Sequence, residues 1–145
     1  MTFNLYCQVI DAVLTPDDLV VFKYEEQGFS TLEDGLYVSE EILADPEMNE
    51  KLVRFVRASM KGWKYAEANP DEAAEIVLDN DSSGAQTEKH QKRMMGEIAK
   101  LTAGSDGKLD PAAFDRSARI TMEGGMITQA PEGAWTHAIT DKALN

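Results

Sequence analysis

Only three side chains here bring imidazole or thiol chemistry, and they stand far apart in the chain: Cys7, His90 and His137. A cysteine nucleophile needs a histidine beside it and a third group to orient the ring. No local motif supplies either, so Cys7 reads as a small apolar residue on its own helix stripe. No serine lies in a Gly-x-Ser-x-Gly turn. The segment Asp79-Asn80-Asp81-Ser82-Ser83-Gly84 puts oxygen ligands at the first, third and fifth positions of a calcium-type loop and glycine at the sixth. Its twelfth position is His90 where a bidentate glutamate belongs, and its eighth is Gln86 where an apolar residue belongs. A polar connection between two helices accounts for these residues. Asp106-Gly107-Lys108-Leu109-Asp110 fails sooner, because Pro111 starts a helix there. Gly124-Gly125 lacks the strand-to-helix setting of a phosphate loop. The pairs Glu25-Glu26, Glu40-Glu41 and Asp71-Glu72 read as solvated or helix-start charges. No catalytic group, metal site or cofactor follows from these residues, and the expectation is that the protein is not an enzyme.

The elements that would position any site are mostly helical by periodicity. Phe3, Tyr6, Cys7, Ile10 and Leu14 form one apolar stripe before Thr15-Pro16-Asp17-Asp18 breaks it. Asp45-Pro46 opens a long helix carrying Leu52, Phe55, Val56, Ser59, Met60, Trp63 and Ala66. Asn69-Pro70-Asp71-Glu72 has the form of a helix start, with Asn69 as cap and Glu72 completing a capping box. Further helices are expected through Met94, Met95, Ile98 and Leu101, ending at Gly104, then from Asp110-Pro111, and last from Pro131 through Trp135, Ala138 and Ile139. The short β-branched and apolar runs Leu19–Tyr24 and Gly35–Val38 predict strands. Two strands make a marginal sheet, and the first has the near-continuous apolar pattern of a strand covered on both faces. Its cover is therefore expected from another copy of the chain or from a segment outside this sequence.

The chain has 145 residues and a net charge of −12, from 14 Lys+Arg against 26 Asp+Glu. That length suits one ordinary domain. Phosphate binding needs clustered cations, so nucleic acid is not an expected partner. No apolar run reaches the roughly 18 residues of a membrane span, and MTFNLYCQVIDAV lacks the basic flank of a secretory signal. A single cysteine excludes an internal disulfide.

Several segments together resemble the C-terminal half of an ABC-transporter solute-binding protein. They are Gly35-Leu36-Tyr37-Val38-Ser39-Glu40-Glu41, Asp45-Pro46, the run Phe55-Val56-Arg57-Ala58-Ser59-Met60-Lys61-Gly62-Trp63-Lys64-Tyr65-Ala66, and Asn69-Pro70-Asp71-Glu72-Ala73-Ala74. Gly84-Ala85-Gln86-Thr87-Glu88-Lys89-His90-Gln91 and Gly133-Ala134-Trp135-Thr136-His137 are similar to the members that bind pyrimidine precursors of thiamine, hydroxymethylpyrimidine or formylaminopyrimidine. The resemblance implies an α/β, predominantly helical chain: the C-terminal half of a type 2 periplasmic-binding-protein fold with two or three short strands. Residues 1–145 would form a single partial domain, with about 1–34 ending the second lobe and crossing over and about 35–145 returning to the first lobe.

The implied function is the substrate-binding component of an ABC transporter, with a small pyrimidine as ligand and an ABC permease as partner of the full-length protein. The family's ligand-contacting stretch reads Thr-Tyr-Asn-Glu-Tyr-Trp, and this chain has Thr2-Phe3-Asn4-Leu5-Tyr6-Cys7. Asn4 and Tyr6 match it and are the implied ligand-binding residues, for edge hydrogen bonding and ring stacking. Read without the family, they are a first-turn polar residue and a helix-face aromatic. Leu5 and Cys7 replace the carboxylate and the indole, so weak or no autonomous binding is expected. Two other readings remain open: a stand-alone acidic helical interaction module derived from such a receptor, and a thiamine pyrimidine synthase-like protein of the same fold. The resemblance implies a periplasmic location; if Met1 is the natural start, the absence of a signal-like segment leads us to expect a cytoplasmic one instead. Uncovered helix stripes and a strand edge lead us to expect a homodimer that persists, or strengthens, as salt is raised.

Overall fold

Four helices begin where a capping side chain precedes a proline or an acidic first turn. The computed structural model describes residues 2–12 and 14–144, with side chains from Leu5 onward. Its helices are α1 (Thr2–Ala12), α2 (Glu40–Ala44), α3 (Pro46–Ala68), α4 (Pro70–Asp79), α5 (Glu88–Thr102), α6 (Pro111–Glu123) and α7 (Ala138–Leu144). Asp45 Oδ1 accepts from the amides of Glu47 and Met48 at 2.8 and 3.0 Å, which starts α3. Thr87 Oγ1 accepts from the His90 amide at the head of α5, and Asp110 Oδ1 from the Ala112 amide at the head of α6. Gly104, at φ 77°, takes the left-handed conformation just beyond α5 that glycine adopts without steric cost.

Three expectations need correction. Leu19–Tyr24 and Gly35–Val38 are not strands, and no strand occurs among the described residues. β-Branched and aromatic residues favour a strand only when a neighbouring backbone completes the ladder. Here no backbone hydrogen bond joins residues 20–22 or 34–38 to another described residue. Ser39 caps the short helix α2 by accepting from the Ile42 amide. Asn69 precedes α4 but does not cap it with its side chain. Its amide nitrogen donates instead to Tyr65 O at 3.0 Å, closing the end of α3. Finally, residues 131–137 are not helical; Gly133 adopts φ 60°, and the last helix starts only at Ala138, whose amide donates to Thr136 Oγ1.

The chain falls into two compact units. The first comprises residues 1–20 and 59–105. In it α4 and α1 each pack on α5. Ala73 and Ala74 are buried on α4, and Cys7 is buried on α1. Such small side chains let helices approach closely but remove little apolar area each, so cohesion in this unit leans on contact between helices over their length.

The second unit comprises residues 21–58 and 106–145. Its buried residues are Val53 and Val56 of α3, Ala113 of α6, and Ile139 and Ala143 of α7. Long-range polar bonds tie these helices. Arg57 donates from Nε to Ala143 O at 3.0 Å and from Nη2 to Lys142 O at 3.1 Å, satisfying carbonyls at the end of α7. Arg116 Nε donates to Ser30 O, and the Leu32 amide donates to Ser117 Oγ, fixing residues 30–32 beside α6. Lys108 Nζ pairs with Asp141 at 2.6 Å.

Candidate functional site

The sequence places its candidate ligand residues on α1, so the site is built from that helix outward. Apolar spacing at Tyr6, Cys7 and Ile10 turns one face of α1 inward: Cys7 is buried, and Tyr6, Ile10 and Asp11 are half-buried. Leu5 and Val9 lie on the exposed side. Tyr6 therefore presents an aromatic ring at the margin of the face that packs on α5. Its hydroxyl makes no hydrogen bond among the described residues. The Asn4 side chain lies outside the described residues; its backbone belongs to α1. Positions 4 and 6 are separated by about 200° around a helix axis, so this helix does not bring them to one point. Leu5, where the resemblance implies a carboxylate, is half exposed and offers no hydrogen bond.

One turn further along, α1 carries a polar group that sequence reasoning missed. The Asp11 carboxylate is screened from water and lies 2.8 Å from Lys89 Nζ and 2.9 Å from Arg93 Nη1. His90 Nδ1 is 3.9 Å from the same carboxylate. Arg93 also reaches Cys7 O at 3.4 Å, so it bridges two successive turns of α1. The Lys89 ammonium, aided by Arg93, holds the Asp11 carboxyl below the ordinary carboxylate value, against a desolvation that would raise it. Lys89 and Arg93 stand four residues apart and so share one face of α5. That spacing was legible in the sequence, but nothing marked Asp11, 78 residues upstream of Lys89, as its counterpart. Chemically the arrangement is a cationic clamp on a carboxylate that already belongs to the chain. It pins α1 to α5.

The calcium-like segment is occupied by its own donors. Asp81 Oδ1 accepts from the amide and hydroxyl of Ser83, and Oδ2 accepts from the Gln86 amide at 3.0 Å. The Ser83 hydroxyl, with those amides, holds the Asp81 carboxyl below its ordinary value. Among the described residues no group of three or more His, Cys, Asp or Glu side chains is placed to hold a metal. His137, the second histidine, bonds Leu109 O at 2.8 Å through Nε2 and lies against Trp135 at 4.8 Å between ring centroids. It serves the second unit's internal packing, while His90 and Cys7 lie in the first unit. No nucleophile–histidine pair is assembled from Cys7 and His137 within one unit.

Among the described residues, no helix is long and apolar enough to cross a membrane. A family model described as NMT1/THI5 like matches residues 1–73, just over half of the 145-residue chain. The matched stretch includes α1, the apolar segments around Phe22 and Tyr37, all of α3 and the start of α4. No curated protein and no solved structure matches the chain.

Proposed function

Because the chain belongs to the NMT1/THI5-like family, matched over residues 1–73, a family of thiamine-pyrimidine-related binding or synthase proteins, we propose that it derives from the substrate-binding component of an ABC transporter for a thiamine pyrimidine precursor. In this reading the chain is the C-terminal half of a type 2 periplasmic-binding-protein fold, acting at the periplasmic face with an ABC permease as partner of the full-length receptor. It binds rather than transforms its ligand. The family match carries the proposal. It is supported by Tyr6, a half-buried aromatic on α1, and by the apolar segments 19–24 and 35–38, which find no ladder among the described residues.

Autonomous binding by the 145-residue chain is weak or absent. Leu5 stands exposed where a carboxylate partner is expected, and losing a charged hydrogen bond costs roughly 1.5–3 kcal/mol. That is a factor of about ten to a hundred in affinity. The test is calorimetric titration of the chain with hydroxymethylpyrimidine and with its formylamino analogue. The expected result is no saturable heat at micromolar ligand. Micromolar affinity would overturn the weak-binding reading.

A further inference from the structure

The second unit leaves a long apolar segment uncovered. Phe22 and Tyr24 are about three-quarters exposed, Tyr37 is 83% exposed, and Phe29 and Leu36 are more than half exposed. The backbone of residues 34–38 and of Val21 and Phe22 makes no backbone hydrogen bond among the described residues, leaving donors and acceptors free to pair.

Charge decides what the cover is. Residues 21–38 carry four acidic side chains, Glu25, Glu26, Glu33 and Asp34, and one basic one, Lys23, which pairs with Glu26. Residues 51–66, on α3, carry five basic side chains and no acidic one. Of these, Arg54, Lys61 and Lys64 recur at a spacing that gathers them on one side of the helix. All three are exposed, and none has a carboxylate within ion-pair distance among the described residues. One chain thus holds an acidic apolar ribbon and a basic helix face, the two complementary halves of a self-recognising surface.

We infer that the apolar segment 21–38 is an interface between two copies of this chain, with the acidic ribbon of each copy set toward the basic side of α3 in the other. A twofold arrangement satisfies both copies at once and closes the assembly. Apolar burial supplies the affinity, and the charges set register and orientation. The inference uses only surface, charge and backbone pairing, and does not depend on the pyrimidine-receptor reading. A failed titration therefore leaves it untouched, and a monomeric chain leaves that reading untouched.

Sedimentation equilibrium of the full chain, at tens of micromolar and at low and high salt, tests it. The expected species has twice the 16.0 kDa mass of the chain and persists at high salt, because apolar contact dominates. Phe22→Asp with Tyr37→Asp should give a monomer with an unchanged helical circular dichroism spectrum, since both side chains are exposed before association. Lys61→Glu and Lys64→Glu should each raise the dimer dissociation constant about two- to fivefold, the range of exposed charge pairs. A clean monomer at both salt concentrations overturns the inference. So does an open-ended series of oligomers, which a closed twofold contact forbids, and so does a dimer indifferent to the Phe22 and Tyr37 substitutions.

Discussion

The two units use their arginines in opposite ways. In the first, Arg93 and Lys89 of α5 converge on one side chain, the Asp11 carboxylate of α1. In the second, Arg57 and Arg116 donate to main-chain oxygens, those of Ala143, Lys142 and Ser30. A carboxylate can be protonated, whereas a carbonyl stays an acceptor at every pH. The difference teaches that helix contact in the first unit is coupled to acidity, while tethering in the second is not. The second unit has a pairing of its own that titrates, Lys108 with Asp141, but it joins a loop to α7. The two tryptophans fall one to a unit, Trp63 in the first and Trp135 in the second. Replacing either by Phe makes the other a reporter of its own unit's unfolding.

The most damaging single change should be in the first unit's packing. Ala74, at 0% exposure on α4, leaves no room for a larger side chain. Ala74→Leu should cost about 1–3 kcal/mol through overpacking. In a unit of 67 residues that is a fall in melting temperature of about 4–8 °C per kcal/mol. The fall should be read by Trp63 and not by Trp135; an equal fall at both would mean the two regions unfold as one and would dissolve the comparison.

Asp11→Asn should come next and should carry a pH signature. The folded pKa of Asp11 is lowered, so the stability it contributes is present above the ordinary carboxylate value of 3.8 and is lost as pH falls through the lower folded value. The variant should be less stable near neutral pH and should converge on the parent as acid protonates the parent's carboxylate. Asp18, Asp81 and Glu88 of the same unit also have lowered pKa values, from Thr15, from Ser83 and from Lys92, and will leave a residual slope. Parallel acid melting curves for variant and parent, by Trp63 fluorescence, would show that Asp11 does not couple helix packing to acidity.

Arg57→Ala should have the smallest effect. It frees two carbonyls near the end of α7, which water can reach, so the expected loss is about 1 kcal/mol. Because a carbonyl does not titrate, the loss read by Trp135 should be the same at mildly acidic and neutral pH. A loss that varied across that range would remove the contrast between the two units.

How far the sequence could be read depended on the range of the interaction. The helices starting at Pro46, Pro70 and Pro111 were legible because the cap, the proline and the apolar spacing all lie within a few turns. The left-handed stop at Gly104 was legible for the same reason. Asn69 shows where local reading fails even at short range: it stands between two helices, and both have use for its side chain. Its donation to Tyr65 O serves the earlier one, while Glu72, expected to complete a box at α4, bonds the Tyr65 hydroxyl and raises its pKa. The candidate site was half legible. The apolar stripe of α1 foretold which side of Tyr6 and Cys7 faces inward, but Asp11 stood out in no pattern until α5 placed two cations on it.

The sequence by itself determined the helices that start at Pro46, Pro70 and Pro111, the stop at Gly104, and the acidic segment with the basic stretch that follows it, because each is a property of neighbouring residues. Tertiary structure alone decided that α1 is held by a salt-bridged carboxylate, that Arg57 and Arg116 serve main-chain oxygens, and that residues 19–24 and 35–38 are not strands. A helix completes its hydrogen bonds within one segment. A strand and a long-range ion pair each need a partner whose position local spacing does not contain.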